Sequence, residues 1–215
     1  MSFLFYGCSS LTSLNLSSFN TANVTNMGSM FNGCSSLTSL DLSNFNTAKV
    51  TNMGAMFNLC SSLTSLDLRG FNTAKAKSMG MMFNGCSSLQ TIYVGDGWST
   101  AAVTSSSNMF HNCTSLKGGK GTTYDANHVD KTYAHIDGGT SNPGYFSEKP
   151  AFLRGDVNGD GQVGIGDIVA ITNVMAGIET NPIIVARANV NGDESVGIGD
   201  IVMVTNIMAG IEEFQ

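Results

Sequence analysis

Two stretches near the end of the 215-residue chain place oxygen-bearing side chains at alternate positions. In the first, Asp156, Asn158 and Asp160 are followed by Gln162 and Asp167; thirty-three residues on, Asn189, Asn191 and Asp193 are followed by Ser195 and Asp200. The chemistry this spacing suits is coordination of a hard divalent cation. Calcium takes roughly six to eight oxygen ligands, and a loop of about twelve residues supplies them from positions one, three, five, seven, nine and twelve. In the first loop these are Asp156, Asn158, Asp160, the Gln162 carbonyl, a water near Gly164, and Asp167. In the second they are Asn189, Asn191, Asp193, the Ser195 carbonyl, a water near Gly197, and Asp200. Two Ca2+ ions are therefore expected. The first loop has three ligand carboxylates and Gly161 at its sixth position; the second has two, and Glu194 at the sixth. Positive φ at that position costs a non-glycine residue on the order of 1 kcal/mol, so the first loop is expected to bind more strongly.

Each loop must be held by the apolar segment on its C-terminal side. Ile168, Ile171, Val174, Met175 and Ile178 have helical spacing and correspond to Ile201, Val204, Ile207, Met208 and Ile211. Gly177 and Gly210 are natural helix stops. The two stripes are expected to pack face to face as a small all-α unit over residues 153–213, marginal without its metal. Pro150, Gly155 and few helix formers precede the first loop, so no entering helix is expected there. A loop and exiting helix duplicated in tandem, with Asp at position twelve and a trailing Asp-Ile-Val…Met-Ala-Gly-Ile, resembles the type I dockerin domain. The resemblance implies docking to a cohesin-type domain through loop positions ten and eleven: Ile165, Gly166, Ile198 and Gly199. Because Ile165 and Ile198 are equivalent, it also implies binding in two orientations.

The first two-thirds of the chain carries a different repeat. Phe-x-x-Cys recurs with Phe at 5, 31, 57, 83 and 110, in steps of 26, 26, 26 and 27 residues. One unit carries Leu11, Leu14, Leu16, Phe19, Val24, Met27, Met30, Phe31 and Cys34, and the pattern returns from Leu37, from Leu63 and, in degenerate form, from Leu89. Leu-x-Leu alternation reads as a short half-buried strand, and the spacing over residues 24–31 fits a helical turn or short helix. Neither can bury its apolar face alone, whereas stacked copies can. The pattern resembles the leucine-rich-repeat family, and the variant with Phe at the ninth position resembles BspA-like bacterial surface repeats. The resemblance implies an α/β repeat solenoid with a parallel sheet on its concave face, and an extracellular adhesion or recognition role. The solenoid is expected over residues 1–146 with a cap over about 116–146, then a linker at 147–152. The five cysteines share one phase and are expected to form a buried ladder. His111, His128, His135, Asp125, Asp130 and Asp137 are expected to be ordinary polar groups of the cap region.

Met1, Leu4, Phe5 and Cys8 align with Met27, Met30, Phe31 and Cys34, so the chain is expected to be a fragment whose signal peptide lay upstream. The expected location is extracellular or at a bacterial surface. The net charge of −6 and the lack of any Lys or Arg run argue against nucleic acid, and no apolar stretch approaches the roughly 18 residues of a membrane span. The concave face is expected to present Asn15, Asp41, Asp67, Arg69 and Tyr93. With only Tyr93, and Trp98 nearby, as stacking platforms, a protein ligand is expected rather than a glycan. No catalytic residues are expected: Asp41 and Asp67 repeat as rungs, whereas glycoside hydrolysis needs carboxylates opposed across a cleft. The alternative is an accessory or enzymatic component of a polysaccharide-degrading complex.

Overall fold

The spacing of residues 24–31 permits a helical turn, but the backbone runs otherwise. Ser29 has φ 56° and Gly33 φ 80°, and the same two phases are left-handed at Phe3 and Gly7, Ala55 and Leu59, Met81 and Gly85, and Asn108 and Asn112. A left-handed residue every fourth position stops a right-handed helix from propagating. What forms is a chain of turns whose alternate N–H groups take different partners. Met30 N and Cys34 N donate back to Met27 O and Phe31 O at 3.2 and 3.1 Å. Ser29, Phe31 and Gly33 donate onward to Gly54, Met56 and Asn58 carbonyls of the next coil, at 2.9, 2.9 and 2.8 Å. The same set recurs from Phe3, Phe5 and Gly7 and from Ala55, Phe57 and Leu59. The expected helical half of an α/β repeat is thus corrected: among the described residues, the repeats contain no α-helix.

The computed structural model describes residues 1–148, 155–159, 163–193 and 195–209, and the chain divides into two units, Met1–Lys149 and Pro150–Gln215. In the first unit the Leu-x-Leu segments become strands only in the later coils. β1 (Ser65–Leu68) and β2 (Thr91–Val94) pair in parallel, with Asp67 opposite Tyr93, and β3 (Phe146–Ser147) adds to the other side of β2. No strand is assigned at Leu14 to Leu16 or Leu40 to Leu42. There, buried threonines tie coils together: Thr21 Oγ1 donates to Asn46 O at 3.1 Å and accepts from Asn46 N at 2.7 Å. Thr47 does the same with Asn72.

The core is a set of ladders. Phe5, Phe31, Phe57, Phe83 and Phe110 stack with centroids 5.5 to 5.8 Å apart and planes within 12°. Cys34, Cys60, Cys86 and Cys113 are buried, and each thiol donates to a phenylalanine carbonyl of the preceding coil at 3.0 to 3.2 Å. Burial pushes the Cys113 thiol up to about 12, so it stays protonated and is a poor metal ligand or nucleophile. The rung at Cys8 differs from expectation, being exposed.

The stack ends edge-on. Tyr145 and Phe146 meet Phe110 with planes at 76° and 67°, so the face-to-face series stops there. The end is secured by Asp137, which is 2 % exposed. Its carboxylate accepts from Thr122 Oγ1 (2.7 Å), Gly139 N (2.8 Å), Lys120 N (2.8 Å) and Thr122 N (3.0 Å). Burial alone would raise this carboxyl, but these four donors outweigh it and hold it far below the usual carboxylate range.

The second unit is helical: α1 (Ile165–Met175), α2 (Pro182–Ala188) and α3 (Ile198–Met208). α1 packs against both α2 and α3. Val157, Ile171, Ala188, Val190, Val204 and Ile207 form its core, with Ile168, Val174 and Ile201 partly buried around them. The expected stripes are corrected at one edge, since Met175, Met208 and Ile178 are exposed. α2 was not foreseen. Pro182 at its first position, where a missing N–H costs nothing, is the signal that could have found it. Gly210 and Ile211 lie outside the described residues.

Asp137→Asn should turn an amide N–H toward backbone donors. Its expected cost is on the order of 3 kcal/mol in thermal unfolding. A depressed folded-state pKa stabilises above the unfolded value and loses that contribution as pH falls below it. The wild-type midpoint should therefore hold between neutral pH and about pH 5 and fall below about pH 4; Asp137→Asn should remove this part of the acid slope.

Candidate metal centre and docking face

Each twelve-residue loop is closed by the carboxylate at its last position. Asp167 is 1 % exposed and Asp200 is fully buried. Asp167 Oδ1 accepts from Asn158 N at 3.0 Å and Oδ2 from Gly164 N at 2.8 Å. Asp200 does the same with Asn191 N at 3.0 Å and Gly197 N at 2.7 Å. Positions three, nine and twelve are thereby drawn together in both loops. The carboxylates sit in the third position of α1 and α3, where helix N-termini favour negative charge. At position one, Asp156 Oδ1 accepts from Gly159 N at 2.8 Å, and Asn189 Oδ1 from Gly192 N at 3.0 Å.

The donors are carboxylate, amide and main-chain oxygens, with no sulfur or imidazole, which fits a hard ion such as calcium. Three buried carboxylates, Asp156, Asp167 and Asp200, in so small a unit also favour an added cation. Among the described residues, no three His, Cys, Asp or Glu side chains stand together as a metal cage. Asp160, Gly161, Gln162 and Glu194 lie outside those residues, as does the linker from 149 to 152. The loops differ inside. The Asn189 amide donates to Asp193 O, which an aspartate at that position cannot do. Ser195 N and the Asn191 amide, both at 2.8 Å, hold the Asp193 carboxyl below its ordinary range.

Loop positions ten and eleven open the helices. Ile165 is 73 % and Ile198 71 % exposed, and Val169, Val202, Met175 and Met208 are about half exposed on the same helices. Gly166 and Gly199 carry a constraint that sequence reasoning missed. A Cβ on Gly166 would stand 2.7 Å from Asn158 Nδ2, and one on Gly199 2.6 Å from Asn191 Nδ2. Position eleven is thus kept small by the ligand at position three, and the recurring Gly-Asp after each isoleucine was the available signal.

On the repeat unit, Asn15 and Asp41 are exposed and line one cavity, while further along Asp67 stands opposite Tyr93 in the strand pairing and beside Arg69. Arg69 grips Asp67 with Nε–Oδ1 at 3.0 Å and a second bond at 2.9 Å. Trp98 is not a platform: its N–H donates to Ala134 O and its ring meets Phe146 edge-on. The cap's polar groups have local partners. Asp125 pairs with His128 at 2.7 Å, Asp130 accepts from Thr132, and His111 lies 3.3 Å from the Asn84 amide oxygen.

Gly166→Ala and Gly199→Ala should push aside the position-three asparagine while favouring the helix. Each is expected to lower calcium affinity at its own loop about tenfold, equivalent to ~1.4 kcal/mol, without loss of calcium-free helicity. Calorimetry with circular dichroism checks this; unchanged affinity would count against the loop geometry.

Two overlapping matches to the family described as "Mycoplasma protein of unknown function, DUF285" cover residues 1–124 and 67–141. The model of the dockerin type I domain matches residues 154–209. No curated protein matches the chain. Among solved structures, a leucine-rich cell surface protein from Faecalibacterium prausnitzii A2-165 is similar at 21% identity, over 54% of this chain and 34% of that one, with a TM-score of 0.35. The chain therefore spans about a third of that protein's length. Among the described residues, no helix is long and apolar enough to cross a membrane. A repeat that recurs in phase from Phe5 to Phe110, matched over more than half of the sequence, and a duplicated loop-helix matched after it lead to one assignment: the chain belongs to the DUF285 family of BspA-like repeat proteins and carries a type I dockerin domain.

Proposed function

We propose that this is a non-catalytic binding protein of the cell surface or extracellular space, built as a leucine-rich-repeat solenoid joined to a docking module. The module holds two calcium ions, through Asp156, Asn158, Asp160, Gln162 and Asp167 and through Asn189, Asn191, Asp193, Ser195 and Asp200. It docks to a cohesin-type partner through Ile165, Gly166, Ile198 and Gly199. The observation that carries this reading is the pairing of exposures: Ile165 with Ile198, Val169 with Val202, and Met175 with Met208. Exposed apolar side chains repeated in register on two helices suit a partner interface. Calcium at the loops would fix the start of each helix and hence the position of its first isoleucine. The repeat unit, through Asn15, Asp41, Asp67, Arg69 and Tyr93, recognises a protein ligand. Its outward strand positions are polar and shallow, with a single half-buried tyrosine.

Docking is measured on a panel of immobilised cohesin domains, with calcium and with chelator. If the two orientations are equivalent, Ile165→Asp or Ile198→Asp alone should each weaken binding only about twofold, because one orientation survives. The double variant and chelation should weaken it more than ~100-fold, a loss of about 2.7 kcal/mol or more. Abolition by either single variant would defeat the two-orientation reading, and binding by the double variant would defeat docking through this face.

For the metal, Asp200→Ala leaves the first loop and Asp167→Ala leaves the second. Calorimetry should find the remaining site about fivefold or more tighter in Asp200→Ala, about 1 kcal/mol. The opposite order would overturn the ranking of the loops.

A further inference from the structure

The outward positions of the repeat supply their own template for a ligand. In β1, Asp67 is followed two residues later by Arg69, whose Nε and Nη2 donate to the two carboxylate oxygens at 3.0 and 2.9 Å. One coil earlier the same positions hold Asp41 and Ser43, and one earlier still Asn15 and Ser17. Both aspartates are oriented alike: Asp41 Oδ1 accepts from Ser43 N at 2.9 Å, and Asp67 Oδ1 from Arg69 N at 3.2 Å. Serine brings no charge, and among the described residues no cation pairs with Asp41.

Space is available at this rung. Between the first two coils, where no strands pair, a cavity of about 320 Å³ is lined by Leu14, Asn15, Leu16, Ser17, Asp41, Ser43 and Asn44. Asn44 holds the two coils together beside it, its amide donating to the carbonyls of Leu16, Ser17 and Phe19 at 2.9, 3.3 and 3.1 Å. The matching positions in the adjoining coils are Ser18 and Gly70, which lack an amide. The volume sits at the low end of ligand cavities and leaves ample room for a side-chain head group.

We infer that this cavity takes the guanidinium group of an arginine on a partner protein, with Asp41 receiving it as Asp67 receives Arg69. A guanidinium offers a planar fork matched to a carboxylate, and the chain's own charge of −6 favours a cationic partner. The inference rests on the reading of this face as a protein-recognition surface, and it names the side chain recognised. A single exposed ion pair contributes little, so one arginine binds weakly and a useful affinity needs neighbouring contacts along the face.

The test uses the 215-residue chain in calcium buffer, labelled for amide NMR, with N-acetyl-arginine amide as probe. N-acetyl-citrulline amide, similar in shape but uncharged, is the control. The arginine probe should shift the Ser43 and Asn44 amides, with a dissociation constant on the order of 100 mM, and citrulline should not. Asp41→Asn should weaken the probe several-fold, up to about fivefold. The fold tolerates that change, because the preceding coil has Asn15 at the same position. Ser43→Arg should close the site from within and weaken it equally. Equal shifts with citrulline, or unchanged binding by Asp41→Asn, would overturn the inference. If an identified protein ligand binds wild type and Asp41→Asn equally, the recognition face stands and the arginine site falls. If the arginine probe binds as expected but no protein ligand engages the face, the site stands and the wider reading falls.

Discussion

In the turn segment of each repeat, every second N–H has no acceptor within its own coil. Met30 and Cys34 close local turns, but Ser29, Phe31 and Gly33 can be satisfied only by carbonyls of the following coil. A buried N–H without an acceptor costs about as much as a lost hydrogen bond. One coil alone is therefore not a viable structure, and a stack satisfies this segment from coil to coil. The left-handed phases make this alternation possible, by turning the chain before a helix can absorb the donors itself. At one of those phases Leu59 stands where the neighbouring coils have Gly33 and Gly85, a strain the stack carries without changing course.

The same arithmetic governs the polar groups near the core. The buried threonines Thr21, Thr47 and Thr73 each close a small hydrogen-bonded ring with the next coil, and the buried thiols reach phenylalanine carbonyls. Where the ladder must end, the rings turn edge-on at Tyr145 and Phe146, and Asp137 gathers four donors from two chain segments. A buried carboxylate with that many donors is a lock, and its cost is recovered only when all four are present.

In the second unit the equivalent role falls to Asp167 and Asp200. Each reaches back across its loop to the backbone of positions three and nine and at the same time starts a helix. Loop closure and helix initiation are therefore one event, and the exposed isoleucine lies two residues before the carboxylate that couples them. A cation bound by the loop would therefore act on the start of the helix that carries this isoleucine.

The sequence by itself determined the repeat lengths, the phase of the core and the place of the two duplicated loops. These follow from periodicity and from residue chemistry, both of which are local. Phe5 through Phe110 and the loops beginning at Asp156 and Asn189 were legible for that reason. Only the tertiary structure decided that residues 24–31 make turns rather than a helix, because the competing hydrogen-bond partners belong to another coil. It also decided which Leu-x-Leu segments become strands. β2 has paired neighbours on both sides, whereas Leu14 to Leu16 and Leu40 to Leu42 are joined by side chains instead. Trp98 read as a possible stacking platform until its N–H found Ala134, and that Gly166 stands close against the Asn158 amide was visible only in the folded loop. In each case the deciding atom lies on a separate coil or in the facing part of the loop, where sequence spacing carries no distance.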